Sequence, residues 1–114
     1  MLNFIKSLFI SDNKTGGKPR SSKWPKVRAK WLSDHPTCAA CGTKDKCEVH
    51  HVVPFSFDPS RELDETNFLT LCESDHQCHI RVGHSYNWEC ANPNSREDAA
   101  LQLKRIKERL VKPN

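Results

Sequence analysis

The sequence predicts a small α+β domain: a two-stranded hairpin and a short helix held around bound metal, with flanking N- and C-terminal helices. Three observations predict it. The chain has 114 residues, 36% of them hydrophobic and 28% charged, which leaves little apolar material for a large interior. Six cysteines and six histidines lie between His35 and Cys90, where reduced thiols beside imidazoles favour metal over disulfides. Two short apolar runs, 47–53 and 67–72, flank a segment with two prolines and read as the arms of a hairpin with a long connection.

The elements follow in order. In residues 1–10, "MLNFIKSLFI", Leu2, Ile5, Leu8 and Phe9 predict one or two amphipathic helical turns, too short to stand alone. The stretch is also too short, and too interrupted by Lys6, to span a membrane, and no small-residue cleavage site follows it. A reducing, cytoplasmic setting is therefore expected, with no membrane partner. Residues 11–22 hold Gly, Ser, Lys and one Pro and read as a linker. Residues 1–21 are thus expected to form a basic flexible arm, and 22–114 the domain, with its core at about 36–92.

From Ser22 a helix is predicted. Trp24, Val27 and Trp31 recur on one face, Pro25 suits a first turn, and Asp34-His35-Pro36 stops it. The other face carries Lys23, Lys26 and Lys30. After the hairpin, "CHIRVGH" reads as a helix up to Gly83. The last helix spans about 95–111: Ser95 and Asp98 have capping-box spacing, and Ala99, Leu103, Ile106 and Leu110 form one apolar stripe. Lys104, Arg105, Lys107, Arg109 and Lys112 fill its C-terminal half, where cations complement the helix dipole.

The charge is uneven. Residues 1–31 carry eight Lys and Arg against Asp12 alone, a balance of +7 within a net +4, so the remainder is mildly acidic at −3. A basic arm ahead of an acidic body suits a polyanion such as nucleic acid, and a solvated tail explains the same run equally well. Lys23, Lys26 and Lys30 are the candidate phosphate contacts. Arg105, Arg109 and Lys112 are a weaker set, and Arg61 and Arg81 lie close in sequence to the histidines.

Cys38-x2-Cys41 is half of a tetrahedral thiolate site, because a tight turn brings both sulfurs onto one ion. Cys72 and Cys78 are the favoured second half, since each borders an element that has to be pinned. Their x5 spacing is wider than usual, and His76 between them is an alternative ligand. Cys47 and Cys90 are left as core or surface thiols. A structural zinc contributes on the order of 10 kcal/mol of folding free energy, which so small a core needs.

The ordered series Cys38-x2-Cys41, His50-His51, Asn67, Cys72, Cys78-His79, His84 resembles the HNH endonuclease family, whose strand-strand-helix unit, the ββα-metal fold, holds one divalent cation. The resemblance covers about residues 22–98. Its most specific parts are "EVHHVVPF", "NFLTLC" and "CHIRVGH". The pattern "CH....GH" and the segment "NPNSREDA" look most like the small, free-standing phage and bacterial members. The resemblance implies that His51 is the general base and that Asn67 holds the hairpin loop and keeps that base oriented. It implies His50, His79 and His84 as ligands of the catalytic cation (Mg2+, Mn2+, Ni2+ or Zn2+), a structural Zn2+ beside it, and DNA as the partner. A bacterial host cell, a phage-encoded origin and a role in phage DNA packaging are settings it includes.

The chemistry makes these assignments sensible independently. Phosphodiester hydrolysis needs a nucleophile made from water, and imidazole, with an ordinary pKa near ~6.5, takes a proton at neutral pH. One divalent ion neutralises charge on a nonbridging and a leaving oxygen together. Adjacent strand residues point to opposite faces, so His50 on the metal side and His51 on the water side can flank one phosphate. Two spacings depart from the usual pattern. His79 and His84 are five apart, about 140° between directions on an ideal α-helix, so either Gly83 ends the helix and His84 turns back, or water takes its place. The x5 spacing of the second cysteine pair is the other departure. The competing readings are a non-catalytic zinc-knuckle nucleic-acid-binding module and a disulfide-stapled secreted domain.

Overall fold

A computed structural model describes residues 8–9 and 19–111. Its elements are β1 (Leu8–Phe9), α1 (Trp24–Asp34), β2 (Cys47–His51), β3 (Phe68–Cys72), a π-helix at His79–Gly83, β4 (Cys90–Ala91) and α2 (Ser95–Val111). Two two-stranded sheets result, β2 with β3 and β1 with β4. Much of the arm 1–21 lies outside the described residues. Leu8 and Phe9, expected in a helical turn, are instead extended and paired with Ala91 and Cys90; Leu2 and Ile5 of that turn lie outside.

Pro25 opens α1 within its first turn, where a missing N–H costs nothing, and the helix ends as His35 N–H bonds the Trp31 carbonyl at 2.7 Å. Trp24 and Trp31 meet Phe68 edge-on, with ring centroids 5.5 and 5.3 Å away. Trp31 Nε1 donates to Thr70 Oγ1 at 3.0 Å, and that hydroxyl donates to the His35 carbonyl at 2.8 Å. A helix with no fully buried residue is thereby riveted to β3 at both ends of one indole.

β2 and β3 are antiparallel, with Cys47 opposite Cys72 and His51 opposite Phe68. The ladder is shorter than the apolar runs at 47–53 and 67–72, for a definite reason. Asn67 uses its side chain where a strand would use backbone: its Oδ1 accepts from Val53 N–H at 2.7 Å and its Nδ2 donates to the Val53 carbonyl at 2.9 Å. The long connection contains two 3-10 turns, Pro59–Arg61 and Glu65–Asn67, each opened by an aspartate carboxylate, Asp58 and Asp64, that accepts a backbone N–H.

The core is small and built on sulfur. Cys38, Ala40, Leu69, Leu71, Cys72, Cys78, Val82 and Ala99 form one buried cluster. α2 closes it through Ala99, while Gln102 Nε2 donates to the Ala40 carbonyl at 3.1 Å and Arg96 to the carbonyls of Thr66 and Phe68. The apolar stripe then leaves the body, since Leu110 is 80% exposed. The expected capping box does not form: Ser95 is already helical and its hydroxyl is buried without a hydrogen-bond partner. The Asp98 carboxylate instead accepts from Asn92 Nδ2, which also reaches the Val82 carbonyl and so ties α2 to the π-helix. Among the described residues no helix is long and apolar enough to cross a membrane.

Candidate active site

The sulfurs of Cys38, Cys41, Cys72 and Cys78 lie within 4.8 Å of one another. The first pair sits in a turn closed by Gly42 N–H on the Cys38 carbonyl, 2.8 Å, and Gly42 adopts φ +82, a left-handed conformation that suits glycine. Cys72 ends β3 and Cys78 precedes the π-helix. A hydrogen bond from Cys78 pulls the Cys38 thiol down to about 4, and the same bond pushes Cys78 upward. Four crowded sulfurs sharing protons are a donor set suited to a zinc ion. His76 is exposed and outside this group. Cys47 lies against the cluster with its thiol on the Thr43 carbonyl at 3.3 Å, and Cys90 is buried in β4.

A second donor set forms one residue further along. Ring nitrogens of His50, His79 and His84 also lie within 4.8 Å of one another, and the three ring centroids are 4.9 to 5.1 Å apart. The angular objection to His79 and His84 assumed an α-helix. The segment is wound instead as a π-helix, whose hydrogen bonds close five residues on, and that widening places residues five apart side by side. The first of the two expected outcomes holds: the helix ends at Gly83, and His84, its non-helical cap, turns back to join His50 and His79.

Each imidazole of the trio is held in a state fit for coordination. His79 Nδ1 donates to the Glu73 carboxylate at 2.9 Å and His84 Nδ1 to the Cys90 carbonyl at 2.7 Å, which leaves the lone pair on Nε2 in both. His50 is 1% exposed, and its Nε2 is buried without a hydrogen-bond partner. Burial, with His79 and His84 beside it, holds its proton affinity well below the ordinary histidine range. A neutral, buried imidazole whose nitrogen faces two more is costly unless something accepts that lone pair, so the set fits a divalent cation.

His51 leaves β2 on the other side. Its Nε2 lies 2.8 Å from the Glu62 carbonyl, which can only accept, so Nε2 carries the proton and Nδ1 the lone pair. The ring packs on Trp24 and Phe68, centroids 4.6 and 5.3 Å away, and burial lowers its proton affinity below the ordinary value. Asn67 is 1% exposed and fastens both ends of the connecting loop, also donating to the Arg61 carbonyl at 3.4 Å.

His50, His51, His79 and His84 line one cleft of about 300 Å³, together with Arg20, Phe55, Ser56 and Trp88. Among the described residues Arg20 is the one Lys or Arg on that lining, and its sequence position places it in the arm. Its guanidinium lies 4.4 Å over the Phe55 ring and 3.6 Å from the buried Glu62 carboxylate, whose other oxygen accepts Ser21 N–H at 3.0 Å. Arg61 and Arg81, the two arginines singled out by sequence proximity, are engaged elsewhere: Arg61 with Asp64, and Arg81 with the His76 carbonyl and the Cys78 sulfur. Lys23, Lys26 and Lys30 are exposed along α1, Lys30 paired with Asp34 at 2.8 Å. Arg105 and Arg109 are exposed, and Lys112 lies outside the described residues. No pattern in the sequence could have marked Glu62, Glu73 or Trp88.

The HNH endonuclease family model matches residues 38–82, from the first knuckle cysteine to the last turn of the π-helix. The matched segment contains both cysteine pairs, the His50-His51 step, Asn67 and His79. It ends two residues before His84. No curated protein and no solved structure matches the chain.

Proposed function

We propose, from a chain whose residues 38–82 carry the HNH endonuclease pattern, that this protein is a metal-dependent endonuclease hydrolysing DNA phosphodiester bonds by histidine general-base catalysis. The observation that carries the reading is the convergence of three imidazole nitrogens within 4.8 Å of one another in a cleft that His51 also lines.

In this reading His51 Nδ1 takes the proton of the attacking water. The Glu62 carbonyl holds the ring in the tautomer that makes this possible. Asn67 positions the base by fixing the loop from which Glu62 reaches back. His50, His79 and His84 would hold one divalent cation, which when bound supplies neutralising charge at the nonbridging and leaving oxygens. Arg20 meets the same phosphate from the cleft wall, and Lys23, Lys26 and Lys30 meet phosphates along α1, fixing register without reading bases. The four cysteines hold a structural zinc that anchors the end of β3 to the start of the π-helix.

A plasmid-relaxation assay tests this directly. Wild type and His51→Ala are each freed of divalent ions at the histidines and supplied with Mg2+, Mn2+, Ni2+ or Zn2+ in turn. Metal-dependent nicking by wild type, lost in the variant at unchanged zinc content, is the expected result. DNA binding without nicking under any metal would leave a zinc-knuckle binding module in its place.

A further inference from the structure

We propose that the rim of this cleft stacks on an unpaired nucleobase beside the scissile bond, through Trp88, which makes single-stranded or locally unpaired DNA the preferred substrate. The inference rests on the nuclease reading of the same site and deepens it.

The exposed large hydrophobic side chains of the described residues divide by chemistry. The aliphatic ones, Leu101, Leu110 and Val111, are all on α2. The aromatic ones are Phe57 at 60%, Tyr86 at 70% and Trp88 at 44% exposure, and they stand in different relations to the cleft. Trp88 lines it, Phe57 follows the lining residue Ser56, and Tyr86 lies two residues after His84. A solvated ring at the edge of such a cleft suits single-stranded nucleic acid, because every base has a face that stacks.

Trp88 sits where that base would be. Its ring centroid is 5.0 Å from His79 and 4.9 Å from His84, so one side of the indole is packed on candidate ligands while nearly half of its surface faces solvent. The loop presenting it is pinned. Tyr86 N–H bonds the Ile80 carbonyl at 2.8 Å, Asn87 N–H the His84 carbonyl at 3.0 Å, and Cys90 N–H the Asn87 carbonyl at 2.8 Å. Ser85 and Tyr86 are consecutive non-glycine residues in the left-handed region, φ 52 and 71, a conformation that surrounding structure has to enforce. A rigidly presented ring loses little freedom on binding.

Access to a base face decides between duplex and unpaired DNA. In a duplex both faces of each base are covered by neighbouring pairs, and no face remains for an indole. An unpaired base offers one.

The test reads binding without cleavage, in His51→Ala carrying Mg2+. Oligonucleotides with 2-aminopurine at one position are titrated as single strand and as duplex. The expected result is quenching and tighter binding for the single strand, with the ratio of single-strand to duplex affinity falling about tenfold in Trp88→Ala and largely restored in Trp88→Phe. Zinc content and circular dichroism check that the variants are folded. Equal affinities for the two substrates, or parallel loss of both in Trp88→Ala with no rescue by phenylalanine, would overturn the proposal and leave Trp88 as a cover for the histidines. Failure of wild type to nick any DNA would sink the nuclease reading instead, and the affinity ratio would still decide the stacking.

Discussion

The His50 ring lies so close over Gly83 that a Cβ added there would sit 2.9 Å from both its Cε1 and its Nδ1. Gly83 does not occupy the left-handed region, so its lack of a side chain serves space and not backbone freedom. The π-helix and β2 meet at that point with nothing between them but hydrogen. Gly83→Ala is therefore expected to push His50 out of register with His79 and His84. Calorimetric titration of zinc-loaded protein with Ni2+ should show affinity at the histidines reduced about 10- to 100-fold, the size of effect seen when support for a ligand is removed. Unchanged affinity would mean that the neighbouring rings do not depend on this contact.

Removal of the base separates binding from chemistry. His51→Ala is expected to lower nicking about 10²- to 10⁴-fold while Ni2+ affinity stays within about twofold, because in the proposed mechanism the residue acts on water and not on the cation. A parallel loss of metal binding would make His51 a ligand.

Asn67 replaces backbone pairing with a side chain, so its loss leaves buried groups without partners. Asn67→Ala strands the N–H and the carbonyl of Val53, and urea unfolding should register a destabilisation of about 2 kcal/mol, with activity falling further than stability does. Equal stability of variant and wild type would refute the clamp.

The cysteines divide into four whose sulfurs cluster and two that stand apart from the cluster. Cys72→Ser is expected to lose the ion and the fold together, since a structural zinc supplies on the order of 10 kcal/mol and Cys38, Cys72 and Cys78 are themselves part of the core. Cys47→Ser and Cys90→Ser should each retain one zinc per chain by native mass spectrometry. Loss of zinc from either would redraw the site.

Arg20 should report itself through salt. Arg20→Ala is expected to raise KM more than it lowers kcat and to reduce the slope of log affinity against log salt by about 1, the signature of a single phosphate contact. An unaltered slope would assign the guanidinium to Glu62 alone.

Ligand chemistry was legible in the sequence and its support was not. Cys38-x2-Cys41, the His50-His51 step and Asn67 stand out because metals and protons accept few residue types, and strand alternation says which way neighbours face. The winding of His79–Gly83 was hidden, because nothing in "HIRVG" distinguishes a π-turn from an α-turn until His50 and α2 pack on it. Arg20 with Glu62 spans 42 residues of sequence and Trp31 with Thr70 spans 39, and local pattern is blind to such pairs. The capping box at Ser95 failed for the same reason: Asn92 reaches Asp98 because it also reaches Val82.

Cys78 belongs to the sulfur cluster and His79, the next residue, to the imidazole cluster. One peptide bond joins them, so loss of the sulfur cluster is expected to carry the imidazole cluster with it. On the timescale of native-state amide exchange, the protein is expected to open here as one cooperative unit, with protection of β2, β3 and the π-helix collapsing at a single free energy. Global opening of such a molecule would take the thiolate cluster and the imidazole cluster apart in the same event.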